Sequence, residues 1–153
     1  MKRASALAEH LESNGYIRVL LERTSIGQLL VQARVNGQPM NMILDTGASH
    51  TLLHREAAKR IGVERHASSC EATGAGGSSE TATASLREFR LDEISLGPRT
   101  VPVIDLGGVN ARLESAGLSP VDGVLGVDVL GEADAVVEFE HATLFLKLAG
   151  AES

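Results

Sequence analysis

The stretch Asn41-Met42-Ile43-Leu44-Asp45-Thr46-Gly47-Ala48-Ser49-His50-Thr51-Leu52-Leu53 decides how this 153-residue chain is read. Met40 to Leu44 has the composition of a buried strand, and it runs directly into a carboxylate. A carboxylate at the end of a core strand must be hydrogen-bonded, or it neutralises. Thr46 and Ser49 can supply hydroxyls, and Gly47 can bring a backbone N–H close. Tight fixation of this kind is what a catalytic acid or base needs. The plain alternative is a β-turn in which Asp45 closes a local hydrogen bond.

Working outward, Asn36-Gly37 is a hairpin signal between Gln28–Val35 and Met40–Leu44. On the other side, Leu52, Leu53, Ala57, Ala58 and Ile61 lie near helical spacing, which predicts a short helix over 52–61 ended by Gly62. Ser5 is placed to cap a helix over Ala4–Ser13, and Tyr16–Glu22 is β-rich. Ala67–Ala84 is rich in Gly, Ser, Thr and Ala, which suits either a thin β-ribbon around a Gly tip or a loose loop. Phe89–Leu96 and Thr100–Leu106 read as strands joined by Leu96-Gly97-Pro98-Arg99. Asn110–Pro120 reads as an irregular connection, Val121–Leu130 as an apolar run broken by Gly, and Ala135–Phe139 with Ala142–Leu148 as a last hairpin. Short strands at regular spacing with turn signals indicate a mostly-β barrel or sandwich. There is also an internal echo: Asn36–Ala48 (NGQPMNMILDTGA) parallels Leu96–Gly108 (LGPRTVPVIDLGG), which suggests two similar β-units.

Composition narrows the function. With 14 Lys and Arg against 20 Asp and Glu, the net charge is −6, which disfavours a nucleic-acid binder that must displace counterions. The single cysteine, Cys70, excludes an internal disulfide and a multi-cysteine zinc site. No apolar run is long enough to span a bilayer. Met1-Lys2-Arg3 resembles the start of a signal peptide, but Glu9, His10 and Glu12 fall where its apolar region would have to run. The expectation is a cytoplasmic chain, or a periplasmic or membrane-anchored one if an export segment has been removed.

Two further patterns join the Asp45 segment. Val124-Leu125-Gly126 is an apolar pair followed by Gly within DGVLGVDVL, and the chain closes on AVVEFEHATLFLKL. Together with Asp-Thr-Gly-Ala after two aliphatics, these resemble the retropepsin-like aspartic proteases over about Gln28–Leu148, in a bacterial-type, single-domain form. The resemblance implies a mostly β fold, a closed antiparallel β-barrel of the acid-protease type, with short helices after the active-site loop and near the C-terminus. It divides the chain into an N-terminal extension over 1–26 (a short helix plus a strand), a protease domain over 27–148 and a frayed tail over 149–153.

The resemblance also implies an aspartic endopeptidase, a peptide hydrolase. One lobe carries one catalytic aspartate, Asp45, so two chains must pair as a homodimer and share one proton between two carboxylates. Thr46 would hold the dimer across its axis, Gly47 would receive substrate backbone, and Ala48 and Ser49 would support the loop. Ala48 stands where pepsin-like enzymes usually carry Ser, which implies an optimum less acid than pepsin's. Thr73, Gly74, Ala75, Gly76 and Gly77, within Thr73–Ser79, would form a flap over an extended polypeptide substrate. Val124, Leu125 and Gly126 would be structural. No metal and no organic cofactor are implied, because water activated by carboxylates is the nucleophile. Retroviral members often place Arg after the apolar pair and Gly. Here Gly126-Val127-Asp128 lacks it, so the dimer contacts must differ. The competing expectation is a non-catalytic peptide-binding or dimerisation module on the same fold.

Other motifs are weaker. Gly74-Ala75-Gly76-Gly77 lacks the Lys of a phosphate cradle. His50 and His54 at i, i+4 would share a helix face as metal ligands do, though two solvated histidines are the ordinary reading. Asp105 in VIDLGG is the rival second carboxylate within the chain. Cys70 and His66 do not make a fixed nucleophile–base pair.

Overall fold

A computed structural model describes residues 5–63, 65–67 and 82–148. Asn36 and Gly37 adopt φ values of 51° and 82°, the left-handed pair of a type I′ turn, whose twist matches that of its flanking strands. The turn joins β3 (Leu29–Val35) to β4 (Gln38–Leu44) as an antiparallel hairpin in which Leu30 faces Ile43. In β3, Val31, Ala33 and Val35 point inward while Gln32 and Arg34 point out, the period of a half-buried strand.

Ahead of this hairpin lie α1 (Ala6–Ser13), β1 (Ile17–Leu20) and β2 (Glu22–Arg23). Ser5 caps α1 by accepting the Ala8 N–H at 3.0 Å, a contact worth about 1 kcal/mol. After β4 the order is β5 (Leu52–His54), α2 (Arg55–Ile61), β6 (Arg65–Ala67), β7 (Ala82–Leu86), β8 (Phe89–Leu91), β9 (Ile94–Ser95), β10 (Arg99–Ile104) and α3 (Gly107–Ser115). The chain continues with β11 (Gly123–Leu125), α4 (Val127–Glu132), β12 (Val136–Glu138) and β13 (Thr143–Leu146).

Three expectations change. The helix expected over 52–61 starts only at Arg55. Leu52 and Leu53 instead form β5, because the slot between β10 and β11 offers their backbone two ladders, and a short apolar run does not choose its own period. The connection expected over 110–120 is largely helical, as α3, and burial of Leu113 and Asn110 on its inner side holds it. The strand expected over 89–96 is a tight hairpin, turned at Asp92 with φ 55°.

The closed antiparallel barrel is also corrected. Among the described residues the main sheet is an open, curled half-barrel of order β6-β7-β10-β5-β11-β4-β3-β8-β9, with β2 beside β3. Its end strands β6 and β9 are three and two residues long, too short to close a cylinder. The sheet is mixed rather than antiparallel: β4–β11 and β5–β10 are parallel, while β5–β11 is antiparallel. The loops leaving β4 and β10 therefore emerge at opposite ends of the strand bed. A second sheet, β1-β13-β12, packs Leu144 and Leu146 into the main core. Its other face carries α1 through Ala8, Leu11 and Phe145.

Candidate active site

Asp45 is the first residue beyond β4, and the sheet grips it through the main chain. Its N–H donates to Leu125 O at 3.0 Å, and its C=O accepts from the Ala48 N–H at 3.1 Å. Its Oδ1 accepts the Gly47 N–H at 2.8 Å. The far side of the loop is tied as well, because the Val127 N–H donates to Ala48 O at 2.9 Å. The carboxylate is thus fixed at its root while Asp45, Thr46, Gly47, Ser49 and His50 all stay exposed. Ala48 is half-buried against a cluster that includes Ile43, Leu113, Val121 and Val124.

Val124 and Leu125 lie in β11, wedged between β4 and β5, and Gly126 comes next. A Cβ on Gly126 would sit 2.7 Å from His50 C and 2.8 Å from the carbonyl oxygens of Ala48 and His50. Only glycine lets α4 begin this close to the loop. Gly123, at the other end of β11, is equally constrained, with Leu52 O 2.5 Å from the position of its missing Cβ.

Residues not singled out in the sequence hold this arrangement. Thr51, 1% exposed, gives both its N–H (2.9 Å) and its hydroxyl (2.8 Å) to Asp128 Oδ1, and its Oγ1 accepts the Gly126 N–H at 3.0 Å. Arg99 pairs with Asp128 at 3.8 Å and also contacts Glu132. On α3, Asn110 bonds both the C=O (3.1 Å) and the N–H (2.8 Å) of Val121, just before β11. The sequence carries no distinctive signal for Asn110 or Thr51: each is a buried polar residue whose immediate chain neighbours are mostly exposed or half-buried.

The internal echo is structural. Asp105 follows β10 as Asp45 follows β4, and its Oδ1 accepts the Gly107 N–H at 2.8 Å. Asp105 is exposed, like Asp45, but the two lie beyond opposite ends of β5 and β11. The crossed topology does not bring them together. The shared helix face drawn for His50 and His54 does not exist. His50 is exposed in the loop with Ser49 Oγ 3.2 Å from its Nδ1, whereas His54 ends β5, buried, with Nδ1 accepting the Leu106 N–H at 3.0 Å. That acceptor role places the His54 proton on Nε2.

Thr73, Gly74, Ala75, Gly76 and Gly77 lie outside the described residues, as does Cys70. Among the described residues, Glu138 at the end of β12 and Glu140 and His141 on the turn after it are the side chains close enough together to share a metal ion. Hydrogen bonds from His141, first its ring and then its backbone N–H, hold the Glu138 carboxyl below the ordinary range. No helix among the described residues is long and apolar enough to cross a membrane.

Comparison with known proteins agrees with this geometry. No curated protein sequence matches the chain. Solved structures do share its fold. A retropepsin-like aspartic protease from Rickettsia conorii is 20% identical, with a TM-score of 0.59 over 88% of this chain and 91% of that one. EIAV protease in complex with the inhibitor HBY-793 is 20% identical, with a TM-score of 0.51 over 72% of this chain and 91% of the other. The retroviral protease-like domain of Ddi1 from Leishmania major is 15% identical, with a TM-score of 0.52 over 82% and 97%. The sequence model of the aspartyl protease family matches residues 31–129, from within β3 through the first half of α4. With the Asp45 loop, the crossed strands and the glycine at 126 all inside that span, this chain belongs to the aspartyl protease family.

Proposed function

We propose that the protein is an aspartic endopeptidase that cuts extended polypeptides with a pair of Asp45 carboxylates, one from each chain of a homodimer. The observation that carries this reading is the Asp45 loop. Its backbone is pinned by Leu125 O and by the Val127 N–H, and the carboxylate is oriented by the Gly47 N–H yet left open to solvent. Fixed orientation with free access suits a group that must move protons during a reaction.

In the paired state two carboxylates share one proton, because two adjacent negative charges are costly. The ionised member takes a proton from water, and that water attacks the peptide carbonyl. The protonated member donates to the carbonyl oxygen. Collapse of the tetrahedral intermediate expels the amine, which leaves with a proton from the pair. An extended substrate adds to the site as a strand would, and Thr73–Gly77 is the segment assigned to cover it.

The test is cleavage of a diverse peptide library between pH 3 and 8 by wild type and Asp45→Asn. Cleavage by wild type alone, rising faster than linearly with enzyme concentration, supports the reading. Cleavage that survives in Asp45→Asn rejects it.

A further inference from the structure

The turn between β3 and β4 has a second use. Asn36 Oδ1 accepts the backbone N–H groups of Arg87 (2.9 Å) and Glu88 (3.0 Å), and the Asn36 N–H donates to Glu88 O at 3.0 Å. With Oδ1 fixed as the acceptor, Nδ2 carries the donors of this amide, and they have no partner among the described residues. Beside this contact lies a cleft of about 400 Å³ lined by Asn36, Ile61, Gly62, Val63, Ser85 and Arg87. Small-molecule sites span roughly 300–1,000 Å³. The cleft sits at the end of β4 away from Asp45, where the turn, the close of α2 and the end of β7 meet.

Its lining is divided in character. Ile61 and Val63 are half-buried and rest on the main core, which gives an apolar floor. The polar part offers donors: the Arg87 guanidinium, the Asn36 amide and the Ser85 hydroxyl. Arg87 is exposed, and among the described residues its guanidinium makes no ion pair or hydrogen bond. No acidic side chain is among the residues that line the cleft. The neighbouring charges are Glu88, next to Arg87 in the chain, and Lys59 and Arg60 on the last turn of α2, which pair with Glu56 and Asp122. A single guanidinium balances one negative charge, and its planar fork matches the two oxygens of a carboxylate. A dianion such as phosphate fits worse, because the carbonyl end of α2 forms part of the wall and disfavours further negative charge.

We infer that this cleft binds a small carboxylate bearing an apolar group of a few carbons. Arg87 holds the carboxylate together with Asn36 Nδ2 and Ser85 Oγ, and the apolar group lies on Ile61 and Val63. A free branched-chain acid and the last residue of a peptide share this chemistry. The site stands apart from the Asp45 reading, since none of its residues belongs to that loop.

Two-dimensional NMR of the full chain tests this. 4-Methylpentanoate and N-acetylleucine are titrated separately, with N-acetylleucine amide as the uncharged control. Wild type is compared with Arg87→Gln and Lys59→Gln, both at exposed positions, and circular dichroism checks that the variants fold. The expected result is saturable shifts of the Asn36, Gly62, Val63, Ser85 and Arg87 amides with at least one of the two acids and none with the amide. The dissociation constant rises about tenfold or more in Arg87→Gln and is unchanged in Lys59→Gln. The acid that binds more tightly names the source. Absence of saturable shifts up to about 20 mM of either acid, equal binding of the amide, an Arg87→Gln protein that binds as wild type does, or the same loss in Lys59→Gln overturns the inference.

Discussion

Asp128 Oδ1 receives both the backbone N–H and the hydroxyl of Thr51, at 2.9 and 2.8 Å. The same oxygen accepts the Val129 N–H at 2.8 Å. One carboxylate oxygen thus joins the end of the Asp45 loop to the first turn of α4, and Thr51 passes the connection on to the Gly126 N–H. The partners are 77 residues apart in sequence, so this knot fixes tertiary structure and not merely a turn.

Removing either side of the knot leaves buried polar groups without partners. Asp128→Ala and Thr51→Val should each cost about 1–3 kcal/mol in urea unfolding. Because both delete the bond between the Thr51 hydroxyl and Asp128 Oδ1, the double variant should cost less than the sum. Additive losses would show that the two residues act independently.

The glycines around α4 should respond in opposite directions. Gly126→Ala drives a methyl group into the His50 and Ala48 carbonyls and should destabilise by about 1–3 kcal/mol through overpacking. Gly131 has nothing within 4 Å of its missing Cβ, so Gly131→Ala should stabilise the helix by up to about 1 kcal/mol. Thermal unfolding of the two variants reads both signs.

Asn110→Ala strips both hydrogen bonds from the Val121 peptide groups, and Asn110 is only 8% exposed. A loss of about 2–3 kcal/mol is expected, with faster hydrogen exchange at the Val121 amide. Unchanged exchange at Val121 would mean that α3 is not clamped through this side chain.

Glu138 sets an acid-side dependence. Its carboxyl is held low by the His141 hydrogen bonds, so its NMR titration midpoint should fall below that of glutamate in an unfolded peptide, about 4.3. A depressed carboxyl stabilises the fold above the unfolded value and loses that contribution as pH falls through the folded one. Glu138→Gln should remove this part of the acid slope. An identical slope in wild type and variant would show that the contact contributes nothing.

Local chemistry made parts of the fold legible. Asn36-Gly37 specified its turn, Ser5 its cap, and the two apolar runs over 135–139 and 142–148 the last hairpin. The aliphatic run ending at Asp45 also announced a loop on a core strand. What could not be read was decided by distant partners. Leu52 and Leu53 became a strand because β10 and β11 lie on either side. Residues 107–115 became a helix although Gly107 and Gly108 open it, because Leu113 and Asn110 found a buried surface. Asp128 looks in sequence like a helix-start acid, and its hold on Thr51 exists only after the chain has crossed. The open, mixed sheet comes from the same crossing, which no local pattern encodes.

The pairing of residues 17–20 with residues 143–146 also orders events during synthesis. β1 leaves the ribosome long before its partner exists, and loop closure over that separation is slow. Leu144 and Leu146, both fully buried, share one core with Leu44 and Leu125 beneath Asp45. A nascent chain therefore lacks the floor of its own site until β13 has emerged, and β1, translated well before β13, settles only after it.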